Sequence, residues 1–183
     1  MKIAVYCSSR EDLAEKYVKP AQVLGQWIGK NGYTLVYGGV KSGLMHTVAQ
    51  ATHDAGGKIL GVVPERFQHR TDVLAHQVVK CQDLGDRKTI MMDNADLFVV
   101  LPGGLGTIDE WISTLSQIIV NHDDTRDIIV VNIDNMFAPQ LEQLKVTAKS
   151  PFARGKHIDK SIPVNDSNEL IQELQKYSNS HEK

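Results

Sequence analysis

The stretch Leu97-Phe98-Val99-Val100-Leu101-Pro102-Gly103-Gly104-Leu105-Gly106-Thr107-Ile108-Asp109-Glu110-Trp111-Ile112 decides the fold. Its first five residues form a continuous apolar run, the pattern of a strand covered on both faces. Pro102 and three glycines follow. Then Ile108, Trp111, Ile112, Leu115, Ile118 and Ile119 recur at helical spacing and form one apolar face. Strand, glycine turn and helix in succession make one unit of a parallel βα sheet.

The alternation repeats outward from this unit. Apolar runs predict strands at Ile3–Tyr6, Thr34–Tyr37, Ile59–Val63, Gln77–Cys81, Leu97–Leu101, Ile128–Ile133 and Ile162–Val164. Helical patterns lie between them: Leu13–Lys30, Leu44–Ala55, Asp86–Asn94, Thr107–Val120, Ala138–Ala148 and Asn168–Lys176. Asn31-Gly32 and Gly56-Gly57 stop the first two, as C-caps do. Pro20 is expected in an early turn of the first helix or at a kink. The expected fold is α/β: a Rossmann-like, doubly wound, mainly parallel sheet with helices on both faces. One domain is expected over residues 1–177, with a polar tail over 178–183.

The composition agrees. The chain has 183 residues, 42% hydrophobic and 23% charged, which is enough to bury a core. The formal net charge of −2 offers no positive field for nucleic acid or an anionic membrane. Cys7 and Cys81 are far apart and lack metal-ligand spacing, which fits a reducing compartment. The apolar stretch Ile3–Tyr6 is too short for a secretory h-region, and no run reaches membrane-spanning length. A cytoplasmic location is expected.

In an open parallel sheet, ligands bind beyond the carboxyl ends of the strands. The unusual residues of this chain collect there. They are Cys7-Ser8-Ser9, Gly38-Gly39, Pro64-Glu65-Arg66, Asp83 with Asp86-Arg87-Lys88, and Pro102 through Thr107. Turns need glycine and serine for conformational reasons alone, but five such turns on one sheet edge describe a ligand cleft. Gly103, Gly104 and Gly106 leave bare N–H groups at a helix N-terminus, where an anion is favoured. A phosphate fits, with Thr107 adding a hydroxyl.

Glu110 has two readings. Thr107-Ile108-Asp109-Glu110 matches a capping box, with Thr107 as N-cap and Glu110 tied back to its N–H. That box does not require the glycines and proline before it. On a helix, Glu110, Thr114 and Gln117 form a polar stripe beside the apolar face, and Asp109 points about 100° away from Glu110. The two carboxylates are therefore not an acid/base pair. Trp111 belongs to the core or to an interface. Gly38-Gly39-Val40-Lys41-Ser42-Gly43 is not a Walker A loop, and no G-x-G-x-x-G follows the first strand. Arg87-Lys88 is either a solvated basic pair or part of the cleft. The seven histidines show no metal-binding spacing, so no metal is expected.

These residues resemble the LONELY GUY (LOG) family of cytokinin riboside 5′-monophosphate phosphoribohydrolases, formerly described as possible lysine decarboxylases. The family's P-G-G-x-G-T-x-x-E stands here as Pro102 through Glu110. Its Arg-Lys pair stands as Arg87-Lys88. Its Y-G-G-G-x-x-G-L-M-G stands as Tyr37 through His46, with Val40 and His46 replacing two glycines. Leu84-Gly85-Asp86 replaces the usual Met-His-Glu, and the loop from Glu65 to His76 is shorter than usual. The resemblance is strongest from Lys2 to about Ile133. The departures bear on base recognition rather than on the phosphate and ribose end.

The resemblance implies hydrolysis of the N-glycosidic bond of a nucleoside 5′-monophosphate, AMP or an N6-modified AMP, to base and ribose 5-phosphate. It implies Arg87 and Glu110 as the catalytic pair. Cleavage builds positive charge on the ribose, which a carboxylate stabilises. Arg87 stays charged and holds Glu110 and substrate oxygens. Gly103, Gly104, Gly106 and Thr107 are candidates for the phosphate. Ser9, Gly38, Gly39, Asp86 and Lys88 are candidates for the rest of the substrate site. No metal or organic cofactor is required. The partners expected are a small-molecule nucleoside 5′-monophosphate and a second copy of the chain in a homodimer, with no nucleic acid and no membrane. The alternative is a non-catalytic carrier of a nucleotide or of molybdenum cofactor. A nucleotide-sensing module is a third reading.

Overall fold

The structure, a computed structural model, describes residues 1–123, 125–153 and 160–181. Seven strands form its sheet: β1 (Lys2–Tyr6), β2 (Thr34–Tyr37), β3 (Lys58–Pro64), β4 (Gln77–Cys81), β5 (Leu97–Val100), β6 (Ile128–Val131) and β7 (Ser161–Val164). All pair in parallel, in the order β4-β3-β2-β1-β5-β6-β7. Every strand predicted from sequence is present, and the sheet is wholly rather than mainly parallel.

Side-chain alternation along each strand divides the core into two layers. Ile3, Val5, Leu35, Tyr37, Leu97 and Val99 face one side. There they meet Leu24 and Ile28 of α1 (Glu15–Lys30), Leu44 and Val48 of α2 (Gly43–Asp54), and Leu170 and Leu174 of α6 (Ser167–His181). Ala4, Tyr6, Val36, Phe98 and Val100 face the other side. They pack on Met91 of α3 (Leu84–Asp93), on Trp111, Leu115 and Ile118 of α4 (Leu105–Val120), and on the helix α5 (Ala138–Ala148) through Leu141 and Leu144.

The chain winds from β1 outward to β4, then returns to β5 beside β1 and winds the other way. The reversal lies between β1 and β5, and a crevice opens there because the loops leave in opposite directions. Ser8 N–H donates to the Pro102 carbonyl at 3.1 Å and so ties the two turns together at that point.

Several boundaries differ from the sequence reading. α4 starts at Leu105, two residues before Thr107, with Gly104 as its N-cap. Thr107 is thus inside the helix, and the capping box is not formed. α1 starts at Glu15 and carries Pro20 in its second turn. α6 runs to His181, into the stretch expected as a polar tail. The segment after β3 is a 3-10 helix over Glu65–Arg70. Trp111 is fully buried in its own chain: its Nε1 donates to Ser161 Oγ at 2.9 Å and its ring meets Phe137 edge-on. Met91 is equally buried. Of the two places the sequence allowed for Trp111, the structure gives it the core. Among the described residues, no helix is long and apolar enough to cross a membrane, and no group of three metal-ligating side chains gathers.

Candidate active site

A cavity of about 530 Å³ occupies the crevice beyond β1 and β5. Its floor holds Cys7 and Glu110, and its sides hold Ser8, Ser9, Arg10, Gly104, Gly106 and Thr107. Val40, Met45, Phe67 and Leu84 supply an apolar portion, and Arg70 and Arg87 supply charge.

Glu110 is reached from the α4 side. It lies in the second turn, and its side chain is only 6% exposed. Arg87 comes from the first turn of α3 and is 11% exposed. Its Nη2 donates to Glu110 Oε1 at 2.5 Å. Two features aim the arginine. Asp83 caps α3 by accepting the N–H groups of Gly85 and Asp86 at 2.8 and 2.9 Å, which fixes the start of the helix. Gly38 makes room above the end of β2, where a Cβ would stand 3.3 Å from Arg87 Nη1 and 3.1 Å from Met45 Sδ. Burial pushes the Glu110 carboxyl above the ordinary glutamate range, and the Arg87 guanidinium pulls it the other way. Arg87 Nε is buried with no hydrogen-bond partner among the described residues.

Neutral groups flank part of this charge pair. The Tyr6 and Thr114 hydroxyls lie 2.8 Å apart beneath it. Burial pushes the Tyr6 hydroxyl and the Cys7 thiol upward, so both stay neutral. Thr114, read from sequence as part of a polar stripe beside the apolar face, is buried.

The glycine turn divides into two functions. A Cβ on Gly103 would collide with the Thr107 side chain, so this glycine lets the turn close over Thr107. A Cβ on Gly104 or Gly106 would meet nothing within 4 Å. Both line the cavity, so their missing side chains leave room above the N-terminal N–H groups of α4.

The structure brings together Ser9, Arg87, Gly104, Gly106, Thr107 and Glu110 in the cavity wall. It places other candidates behind it. Gly38 seats Arg87, and Gly39 adopts φ +68° and packs on Val63. Asp86 accepts the Gln82 N–H at 3.0 Å and serves the α3 terminus. Lys88 faces a separate, smaller pocket on the outside of α3 and α4 and bonds Asp109 and Ser113 at 2.8 and 3.0 Å. Sequence reading missed Arg10, Phe67 and Arg70. Arg10 follows the Ser8-Ser9 pair, a signal that was available. Phe67 and Arg70 lie in a segment whose sequence reads only as a loop.

The family model described as "Possible lysine decarboxylase" matches residues 45–174. The cytokinin riboside 5′-monophosphate phosphoribohydrolase LOG5 of Arabidopsis thaliana is 31% identical, over 96% of this chain and 78% of that protein. The chain belongs to the LOG family. A bacterial relative, the cytokinin riboside 5′-monophosphate phosphoribohydrolase of Rhodococcoides fascians, is 30% identical over 82% of this chain and 77% of its own. Among solved structures, the molybdenum cofactor binding protein of Rippkaea orientalis superposes with a TM-score of 0.75 at 20% identity, covering 96% of each chain. The Moco carrier protein of Chlamydomonas reinhardtii gives 0.70 at 19%, over 96% of this chain and 95% of that one. At such identities this likeness shows the fold alone.

Two departures from the LOG pattern meet the same segment. Val40 forms an antiparallel bridge with Thr71. His46 Nδ1 lies 2.7 Å from Asp72 Oδ2.

Proposed function

We propose that this LOG-family chain hydrolyses the N-glycosidic bond of a nucleoside 5′-monophosphate, AMP or an N6-modified AMP, to free base and ribose 5-phosphate. The observation that carries the reading is the buried Arg87–Glu110 pair beside a glycine turn with vacant space above it. The names of the LOG relatives support the reaction class.

In this reading the 5′-phosphate rests on the N–H groups of Gly104 through Thr107, favoured by the helix dipole. Glu110 faces C1′. As the bond to the base lengthens, positive charge grows on the ribose and the buried carboxylate stabilises it strongly, because little water screens it. The base leaves with the bonding pair, water adds its hydroxyl to C1′, and the remaining proton ends on the base. Glu110 orients that water and accepts its proton in passing. Arg87 stays charged throughout and fixes the carboxylate from the cavity wall. Ser9 lies within reach on the cavity rim. A carrier of a nucleotide or molybdenum cofactor would have the same fold but no need for a buried carboxylate held against an arginine.

Incubating the chain with AMP and following free adenine tests the reading. Release of adenine with equimolar ribose 5-phosphate is expected. Tight binding of AMP without release would favour the carrier. The homodimer rests on family resemblance, and light scattering is expected to report about twice 20.3 kDa. A mass of one chain would reject it.

A further inference from the structure

The cavity has a second end, built by the turn after β3. In the sheet order, β3 and β5 are separated by β2 and β1, so their loops stand about 14 Å apart at three strand spacings. The β5 turn supplies the glycines and Glu110. The β3 turn supplies Phe67 and Arg70. Among the cavity-lining residues, Val40, Met45, Phe67 and Leu84 form the apolar portion. The base is the flat, apolar part of a nucleotide, and among the described residues Phe67 is the only aromatic side chain on that lining.

A two-turn segment at the end of an edge-adjacent strand has little core of its own. None of Glu65 through Arg70 is buried. It is held from the other side. Lys41 N–H donates to the Arg70 carbonyl at 2.9 Å, and Asp72 N–H donates to the Gly39 carbonyl at 2.8 Å. Thr71 pairs with Val40, and its hydroxyl caps the Gln68 carbonyl at 2.7 Å. The one charged anchor is Asp72, whose side chain is fully buried. Its Oδ1 accepts Leu74 N–H at 3.2 Å, and its Oδ2 meets His46 Nδ1 at 2.7 Å. His46 is part of α2, itself packed on the sheet. The pair therefore ties a thinly held segment to a rigid helix. Arg66 lies over the Phe67 ring at 4.7 Å from its centroid, which further restricts the ring.

We propose that Phe67 is the base-stacking residue of this site and that the His46–Asp72 pair is the positioning device that holds it there. The inference rests on the reading of the cavity as a nucleotide site. It joins Val40, His46 and the short loop after β3, three departures from the LOG pattern, into one arrangement at the base end. His46 touches no substrate; it acts through the segment that carries Phe67.

The test compares AMP with ribose 5-phosphate, which lacks the base. Phe67→Ala is expected to weaken AMP about tenfold in KM and in Kd by calorimetry, and to leave the affinity for ribose 5-phosphate unchanged. His46→Ala is expected to raise the KM for AMP about as much while kcat stays within about twofold. His46→Asn retains an N–H donor at the same reach and is expected to restore the parent KM. The double variant Phe67→Ala/His46→Ala is expected to be no worse than either alone, since both lose one contact. Additive losses, an equal loss of ribose 5-phosphate affinity, or a fall in kcat with KM unchanged would overturn the inference. Should His46→Ala fail to fold, Phe67→Ala and His46→Asn still decide. The Kd values separate this inference from the proposed reaction. A chain that binds AMP through Phe67 but releases no adenine loses the hydrolase reading and keeps this one. A chain that does not bind AMP loses both.

Discussion

Two ion pairs bridge α3 and α4 through neighbouring residues, and they differ in almost everything else. Arg87–Glu110 points into the crevice with side chains 11% and 6% exposed. Lys88–Asp109, one residue along on each helix, points outward with 24% and 56% exposed. A step of one residue turns a helix by about 100°, which is enough to move a side chain from the crevice to solvent. The chemistry diverges accordingly. Burial pushes the Glu110 carboxyl up, whereas the Lys88 ammonium holds Asp109 below the usual carboxylate range. A buried carboxylate held by a rigid cation can act on a growing positive charge. A screened surface pair cannot.

The largest effect that would sharpen this contrast is on turnover. Glu110→Gln keeps the shape and loses the charge, so adenine release is expected to fall by about 10³-fold, with ribose 5-phosphate still bound. Asp109→Asn is expected to stay within about twofold. Steady-state rates on AMP decide, and equal losses in the two variants would erase the distinction between the pairs.

The contrast also shows what could be seen in the sequence. The strands, their alternation with helices and the glycine turn were legible, because near-continuous apolar runs and Pro102 through Gly106 each have one economical reading. The 100° offset between Asp109 and Glu110 was legible as well, from helix geometry alone. The start of α4 was not. Thr107 to Glu110 has the sequence of a capping box, yet Gly104 takes the cap and frees Glu110 for Arg87. The competing local motif lost to a tertiary contact 23 residues away. Lys88 looked equivalent to Arg87 because a dipeptide carries no direction. Phe67 and Arg70 were hidden because nothing in a short loop announces which strand end it will lean over.

A smaller effect concerns acidity. Glu110 must be ionised to stabilise a cation. Because burial raises its pKa in the folded protein, the acid limb of kcat/KM is expected above the ordinary glutamate value of 4.5, with activity falling as pH drops through it. Arg87→Ala removes the opposing cation, so the limb is expected to move further up, and the rate on its plateau to fall about 10²-fold. A limb that stays in place in Arg87→Ala would mean that the pair is not electrostatically coupled. The same variant leaves a buried carboxylate without its partner and is expected to cost about 3 kcal/mol in urea unfolding.

The smallest effect belongs to the outer pair. Lys88 Nζ reaches both Asp109 oxygens, at 3.0 and 2.8 Å, and Ser113 Oγ at 3.0 Å, so its geometry is as good as that of the inner pair. Geometry is not what sets the energy. Asp109 keeps more than half its side-chain surface in water, and solvent competes for both charges. Lys88→Ala is therefore expected to cost less than about 1 kcal/mol in urea unfolding, and the cost should shrink as salt is raised. Arg87→Ala should keep most of its cost in the same salt series, because protein covers nearly all of both side chains. The pair of salt titrations asks whether burial alone separates two contacts built on the same two helices. If Lys88→Ala proved as costly and as insensitive to salt as Arg87→Ala, the outer pair would be structural in the same sense as the inner one. The crevice would then owe its chemistry to something other than the exclusion of water from Glu110.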